Sequence, residues 1–373
     1  MSTECASDIS DKVARPEGRP EIRKSAFYMP ALDGIRGIAF LLVFFSHSEA
    51  LGNIIPGGLG VTIFFFLSGY LITTLLRIEV EKTGTLSLKK FYLRRARRIL
   101  PPAYITLAFA YLLGYLGILS SRGSRPALLA VFFYYYNYFD LLSHSLNLPT
   151  GLDVVWSLMI EEHFYLLFPL IYLLVSRKLS PRAQALVFTG ACAMGLLWRY
   201  ILVYALHTST THRAWTYSAT DSRFDSILLG CILAIASNPW FQKDRDSSFM
   251  NARKGTWALT GLFALFVSLL WRNPDFRETA RYTLQGIALF PIFFYCGAAK
   301  GGMLLRVLEC KPLKTVGHLS YSMYLIHYLV LKTLLDHFSL GTLANTCVAL
   351  ALTTIYAMIM RKFVEKPLHK LIP

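Results

Sequence analysis

Apolar runs separated by short polar stretches recur from Ala31 to the end of the chain. They cover about 31–51, 60–76, 103–119, 127–142, 155–175, 184–206, 224–237, 256–271, 282–299, 315–334 and 343–360. Most approach the ~20 residues that a helix needs to cross a hydrocarbon core about 30 Å thick. The pattern predicts an all-α polytopic membrane protein. The run at 127–142 differs from the rest. It is short and aromatic, with Tyr134-Tyr135-Tyr136-Asn137-Tyr138 at its centre.

The polar stretches set the expected topology. Basic residues gather at 1–24, 77–98, 177–182, 242–254, 300–314 and 361–370. Short basic loops stay on the cytoplasmic side. With all of these inside, the runs must pair between them, but three lie between 77–98 and 177–182. Segment 127–142 is therefore expected to be a re-entrant or interfacial element. That leaves about ten spanning helices and both termini cytoplasmic. In the other arrangement 177–182 is external and a different run fails to cross. Residues 1–27 are polar and contain Pro16, Gly18 and Pro20. They are expected to be a disordered cytoplasmic tail, with 28–373 as one membrane domain. The first thirty residues lack the apolar core of a cleavable signal peptide, so the first helix is expected to serve as the insertion signal.

Composition agrees. Hydrophobic residues make up 54% and charged residues 16%, below the usual quarter. Mean hydropathy is +0.45. The formal charge of +16 would suggest nucleic acid in a soluble protein. Here the excess lies in loops flanking apolar runs, so membrane lipid is the expected neighbour and nucleic acid is not. The six cysteines (Cys5, Cys192, Cys231, Cys296, Cys310, Cys347) have no spacing that suggests a metal site or a disulfide framework.

Candidate chemistry starts in the first run. Arg36 and His47 are eleven positions apart. Eleven steps of about 100° return to within roughly 20° of the starting direction, with a rise of roughly 16 Å. Both polar groups, with Asp33 near the same stripe, thus share one face of one helix. Ionisable groups inside an apolar helix normally face a protein interior or a wet cavity. The helix looks built to hold a charged ligand along its length, although a histidine at such a place can also be a packing residue. Arg94, Arg95, Arg97 and Arg98 crowd a membrane boundary. They are either a topology signal or a clamp for phosphate, which arginine binds bidentately. Glu161 and Glu162, followed by His163, are either a solvated helix start or groups that orient a base or an acceptor hydroxyl. Asp221-Ser222-Arg223-Phe224-Asp225 reads first as a local capping and ion-pair set. Tyr321 and His327 lie in another helix, where a lone histidine is more often packing.

These pieces together resemble the acyltransferase-3 family of membrane acyltransferases over about 28–370. The hallmark is an arginine, ten residues and a histidine, matched by Arg36 and His47. Phe64–Gly69 before Tyr70-Leu71-Ile72 also matches, as do Arg95, Arg98, Ile99 and Pro101. Trp156-Ser157-Leu158 with Glu161-Glu162 and Phe164-Tyr165, Arg223-Phe224-Asp225 with Gly230, and Ser320–His327 complete the set. There are departures at His163, where the family usually has glutamine, and near Met159-Ile160. Many bacterial members carry an esterase-like domain after the membrane domain, and the sequence to Pro373 is expected to hold the membrane domain alone.

The resemblance implies transfer of an acyl group, usually acetyl from acetyl-CoA, to a hydroxyl of a carbohydrate, a cell-surface glycan or a small molecule. Acyl-CoA would be a substrate, and no further cofactor or metal is expected. In this reading Arg94, Arg95, Arg97 and Arg98 bind the phosphates of the donor. His47 is the general base or takes the acyl group itself, and Arg36 holds the donor or polarises its thioester carbonyl. Glu161 and Glu162 assist, with Asp33, Arg223, Asp225, Tyr321 and His327 as supporting candidates. Buried charges also fit a transporter or acyl-donor shuttle, in which Arg36 and His47 line a path and no chemistry occurs. A membrane sensor is a third reading, but it leaves the arginine cluster without a purpose.

Overall fold

The structure, a computed structural model, describes residues 27–52, 54–143, 148–207, 213–241, 253–338 and 341–370. Every element among them is helical. The expected tail, up to residue 26, and most of the basic stretch 242–254 lie outside the described residues. The helices used below are α1 (Pro30–His47), α2 (Gly57–Thr83), α3 (Leu88–Tyr115), α4 (Arg125–Phe132), α5 (Tyr136–Leu142), α6 (Trp156–Lys178), α7 (Pro181–Tyr200), α8 (Thr220–Ala236), α9 (Lys254–Leu270), α10 (Arg281–Ala298), α11 (Lys311–His337) and α12 (Thr342–Met360).

Among the described residues, six stretches are long and apolar enough to cross a membrane: Pro30–His47, Gly57–Thr83, Asp153–Lys178, Pro181–Ala205, Trp215–Phe241 and Thr342–Leu368. The chain is thus an integral membrane protein. Length and apolarity alone carry six spans, not the expected ten. Helices α3 and α11 have 28 and 27 residues but open on basic turns.

Glycine sets the helix spacing around α1 and α2. A side chain on Gly34 would overlap the backbone of Leu308, and one on Gly317 the carbonyl of Asp33. Small residues let helix backbones approach, which is how helices associate without a hydrophobic driving force. Asp33 thus lies beside Gly317, Arg36 beside Ser320 and His47 beside His327. Residue numbers rise together on both helices, so α1 and α11 run parallel. The starts of both, with the basic residues 300–314, therefore lie on one face. Helix α2 runs antiparallel to α1, with Gly57 against Ser46 and Gly60 against Ala39. It also crosses α8, where Gly69 abuts Ile227 and Gly230 abuts Phe66.

Two stretches differ from the pattern-based outline. The expected hydrophilic loop 77–98 is largely helical. Helix α2 continues through the i,i+4 pair Arg77–Glu81 to Thr83 and stops at Gly84, whose φ of 72° is the left-handed stop that glycine favours. Ser87 then caps α3 by accepting from the Lys90 amide. The arginines consequently sit on a helix, whose period sorts them by face. Segment 127–142 is not one element. It breaks at Phe133–Tyr135, with Tyr134 at φ 58°. Its helices have eight and seven residues. At about 1.5 Å per residue neither can cross a bilayer.

Candidate active site

A partly open cavity lies among α1, α2, α3, α6 and α11. Arg36 enters it from α1, Arg95 and Arg98 from α3, and Glu161 and Glu162 from α6. Tyr321 and Tyr324 line it from α11. The structure thus brings together residues far apart in the sequence.

Helical geometry decides which arginines take part. Residues three apart share a face, so Arg95 and Arg98 point the same way. Arg94 turns aside and pairs with Glu79, Nη2 to Oε2 at 2.8 Å. Arg97 does not line the cavity. Among the described residues, Arg36, Arg95 and Arg98 form no ion pair within 4 Å. Arg36 Nε donates a long hydrogen bond to Ser320 Oγ at 3.4 Å. The Arg95 guanidinium lies 5.7 Å from the Tyr165 ring and 5.8 Å from that of Phe91. Three cations share this space with Glu161 and Glu162, yet among the described residues none is in direct ion-pair contact with a carboxylate, an arrangement that leaves the guanidinium groups open to an anion.

The acids are not a solvated helix start. Helix α6 begins at Trp156, which puts Glu161 and Glu162 in its second turn, half-buried in the cavity wall. Ser68 Oγ donates to Glu161 Oε1 at 3.1 Å. The Tyr165 hydroxyl stands 3.0 Å from both Glu161 Oε2 and Ser68 Oγ. Ser68 reaches this place because Gly69 lets α2 press against α8. His163, one residue further on, lies outside the cavity. Its Nδ1 is 2.8 Å from Thr220 Oγ1, and its ring stacks 6.3 Å from that of Tyr138.

His47 does not line this cavity. It ends α1, and its Nδ1 is 3.0 Å from Nε2 of the fully buried His327. The link back to the cavity is Tyr324, one turn before His327. The Tyr324 carbonyl accepts from His327 Nδ1 at 2.7 Å, while its hydroxyl is 2.7 Å from Ser157 Oγ. Arg36 and His47 do share a stripe, and α11 follows it with Ser320 at one end and His327 at the other.

The cluster 221–225 is not a local ion-pair set. Asp225 turns to α7, where both its oxygens meet Arg199, at 3.0 Å to Nη1 and 2.7 Å to Nη2. Both side chains are fully buried. Arg223 instead lies over the Tyr282 ring at 3.8 Å and donates to Thr62 Oγ1 at 3.1 Å. Asp221 accepts from the Tyr138 hydroxyl at 3.0 Å and from the indoles of Trp198 and Trp215. Apart from Trp215, these partners are distant in sequence, which is why a local reading misses them. Asp33 faces His318 across 3.1 Å, outside the cavity. Sequence reasoning also passed over Ser68, Tyr165, Ser320 and Tyr324 as site residues. Tyr165 could have been found as the i+4 neighbour of Glu161, whereas Ser68, although it lies in the Phe64–Gly69 stretch, is 93 residues from the Glu161 it meets.

The family model for an acyltransferase domain matches residues 29–362. O-acetyltransferase OatA of Staphylococcus aureus is 30% identical over 366 residues, which cover 94% of this chain and 59% of that protein. Peptidoglycan O-acetyltransferase OatA of Listeria monocytogenes is also 30% identical, over 93% of this chain and 57% of its own length. The chain thus spans about three fifths of these relatives. No solved structure matches.

Proposed function

The chain belongs to the acyltransferase-3 family, and we propose that it is an O-acyltransferase that moves an acetyl group from acetyl-CoA to a hydroxyl of a cell-surface glycan. The observation that carries this reading is the convergence of Arg36, Arg95 and Arg98 on one cavity with no direct ion pair to a carboxylate among the described residues. Coenzyme A is a polyanion, and arginine recognises phosphate through charge-assisted, bidentate hydrogen bonds. The carbohydrate acceptor is supported by the relatives, both O-acetyltransferases and one of them a peptidoglycan O-acetyltransferase.

The roles follow from position. Arg95 and Arg98 hold donor phosphates, and Arg36 lies further along the path and stabilises charge on the thioester oxygen. The acyl end extends past Tyr324 towards His47, which serves as general base for the acceptor hydroxyl. Glu161, braced by Ser68 and Tyr165, and Glu162 balance the cations when the donor is absent. Both termini are cytoplasmic in this proposal, and the cavity opens to that side.

The test is transfer of radiolabelled acetyl from acetyl-CoA to a muramyl disaccharide by protein in nanodiscs. An alkali-labile labelled ester on the sugar is expected. Label crossing sealed vesicles with no ester formed would overturn the reading in favour of a carrier.

A further inference from the structure

The geometry points to His327 as a positioning residue that fixes the tautomer of His47 and leaves His47 Nε2 as the reactive lone pair. This rests on the function proposed above and specifies the atom through which it works. His327 Nδ1 is 2.7 Å from the carbonyl oxygen of Tyr324. A carbonyl only accepts, so the proton on that ring sits on Nδ1. The carbonyl is part of α11 itself, three residues back, and cannot turn away. His327 is fully buried, with the Phe40 ring 5.9 Å away and the Tyr324 ring 5.4 Å away. A second proton on His327 would put a cation among these rings with no carboxylate beside it. Its Nε2 therefore carries a lone pair and accepts.

The only donor across the 3.0 Å contact is then His47 Nδ1. With its proton on Nδ1, neutral His47 has its lone pair on Nε2. The Tyr328 ring packs against that of His47, 4.6 Å between centroids and tilted by 37°, and limits its rotation. The relay runs in one direction: Tyr324 carbonyl, His327, His47, acceptor. In the transfer step the acceptor hydroxyl gives its proton to His47 Nε2 while its oxygen bonds to the thioester carbonyl carbon. The carbon–sulfur bond breaks, and the departing thiolate takes that proton as it becomes a thiol. His327 touches none of the reacting atoms. It keeps the base in its useful tautomer and accepts from the imidazolium formed midway.

The experiment combines ¹⁵N-histidine magnetic resonance in nanodiscs with steady-state kinetics. His47 signals are assigned by their loss in His47→Gln. Wild-type His47 should be protonated at Nδ1 and unprotonated at Nε2. His327→Leu should mix the two tautomers and lower kcat on the order of 10²-fold, the low end of what general-base catalysis contributes. KM for acetyl-CoA should stay within about twofold, because the donor anchors are elsewhere. His327→Gln keeps an acceptor near the Nε2 position and should recover most of kcat. A wild-type His47 protonated at Nε2 would overturn the assignment, as would full kcat in a folded His327→Leu with mixed tautomers. The spectrum is read without turnover. A protein that transfers nothing would sink the proposed function, while the tautomer would still decide this inference. If His327→Leu does not fold, the wild-type spectrum and His327→Gln decide it.

Discussion

Arg94 and Arg95 are neighbours in the chain with opposite surroundings: Arg94 is 2.8 Å from Glu79, whereas Arg95 lines the cavity beside Tyr165. The helix turns about 100° between them, enough to send one side chain out of the site. Removing a charged hydrogen-bond partner of the donor costs roughly 1.5–3 kcal/mol, or about ten- to a hundredfold in affinity. Arg95→Ala should therefore raise KM for acetyl-CoA by that factor, and Arg98→Ala likewise. Arg94→Ala breaks a half-exposed pair, worth about 0–1 kcal/mol to the fold, and should change KM by less than about threefold. Equal effects from Arg94 and Arg95 would mean that the whole cluster acts through topology.

The buried Arg199–Asp225 pair is a matter of stability. Removing one member of such a pair leaves the other charge uncompensated, at a cost of about 3–5 kcal/mol. Thr283 Oγ1 also donates to Asp225, at 2.6 Å, so the aspartate variant strands a second donor. Asp225→Ala should lower the midpoint of thermal unfolding in detergent sharply. The double variant Arg199→Leu with Asp225→Ala should regain part of that loss. A single variant as stable as the wild type would show that water reaches the pair.

Much of this was legible in the sequence, and the reasons are physical. Apolar runs give helices because the bilayer leaves the backbone few other ways to satisfy its hydrogen bonds. The Arg36–His47 spacing fixed a shared stripe because a helix has a rigid period. What the sequence could not show was which stripe faces which. Nothing in the sequence singles out Arg199, yet it is the partner of Asp225. The split of Arg94 from Arg95 depended on where α3 begins, and the polar composition of 77–98 concealed that it is helical. His327 resembled packing because its partner lies 280 residues away.

The closeness of α1 and α11 depends on Gly317. A methyl group there would overlap the Asp33 carbonyl, so Gly317→Ala must push the helices apart. Overpacking of this kind costs typically about 1–3 kcal/mol. The same shift would lengthen the His47–His327 contact. Gly317→Ala should insert normally, unfold at a lower temperature and lose more kcat than donor affinity. Unchanged stability together with unchanged kcat would mean that the two helices are not held at this spacing.

His47→Ala should abolish transfer and leave the fold intact, since His47 is only half-buried at a helix end. Normal expression and an unchanged unfolding midpoint are the controls. Substantial acetylation by such a protein would remove His47 from the mechanism.

Donor and acceptor should meet from opposite sides. Helix α1 has 18 residues, about 27 Å at 1.5 Å per residue, close to the ~30 Å of a hydrocarbon core. Arg36 is in its second turn and His47 closes it, so the two occupy different depths. Helix α11 runs parallel and repeats the order, with Ser320 near Arg36 and His327 near His47. The basic stretch 300–314 runs into the start of α11 on the face where α1 begins, and in the proposed orientation, which follows the positive-inside rule, that face is cytoplasmic. A donor held by Arg95 and Arg98 would then enter from the cytoplasm, while His47 works near the opposite surface. In oriented vesicles, acetyl-CoA on the cytoplasmic face should acetylate an impermeant sugar on the other face, with coenzyme A recovered where the donor was added. Arg95→Ala should raise the acetyl-CoA concentration needed on the donor side and leave KM for the sugar within about twofold. If acetylation occurs only when both substrates share the cytoplasmic compartment, the acetyl group does not cross, and the same residues serve a one-sided transferase.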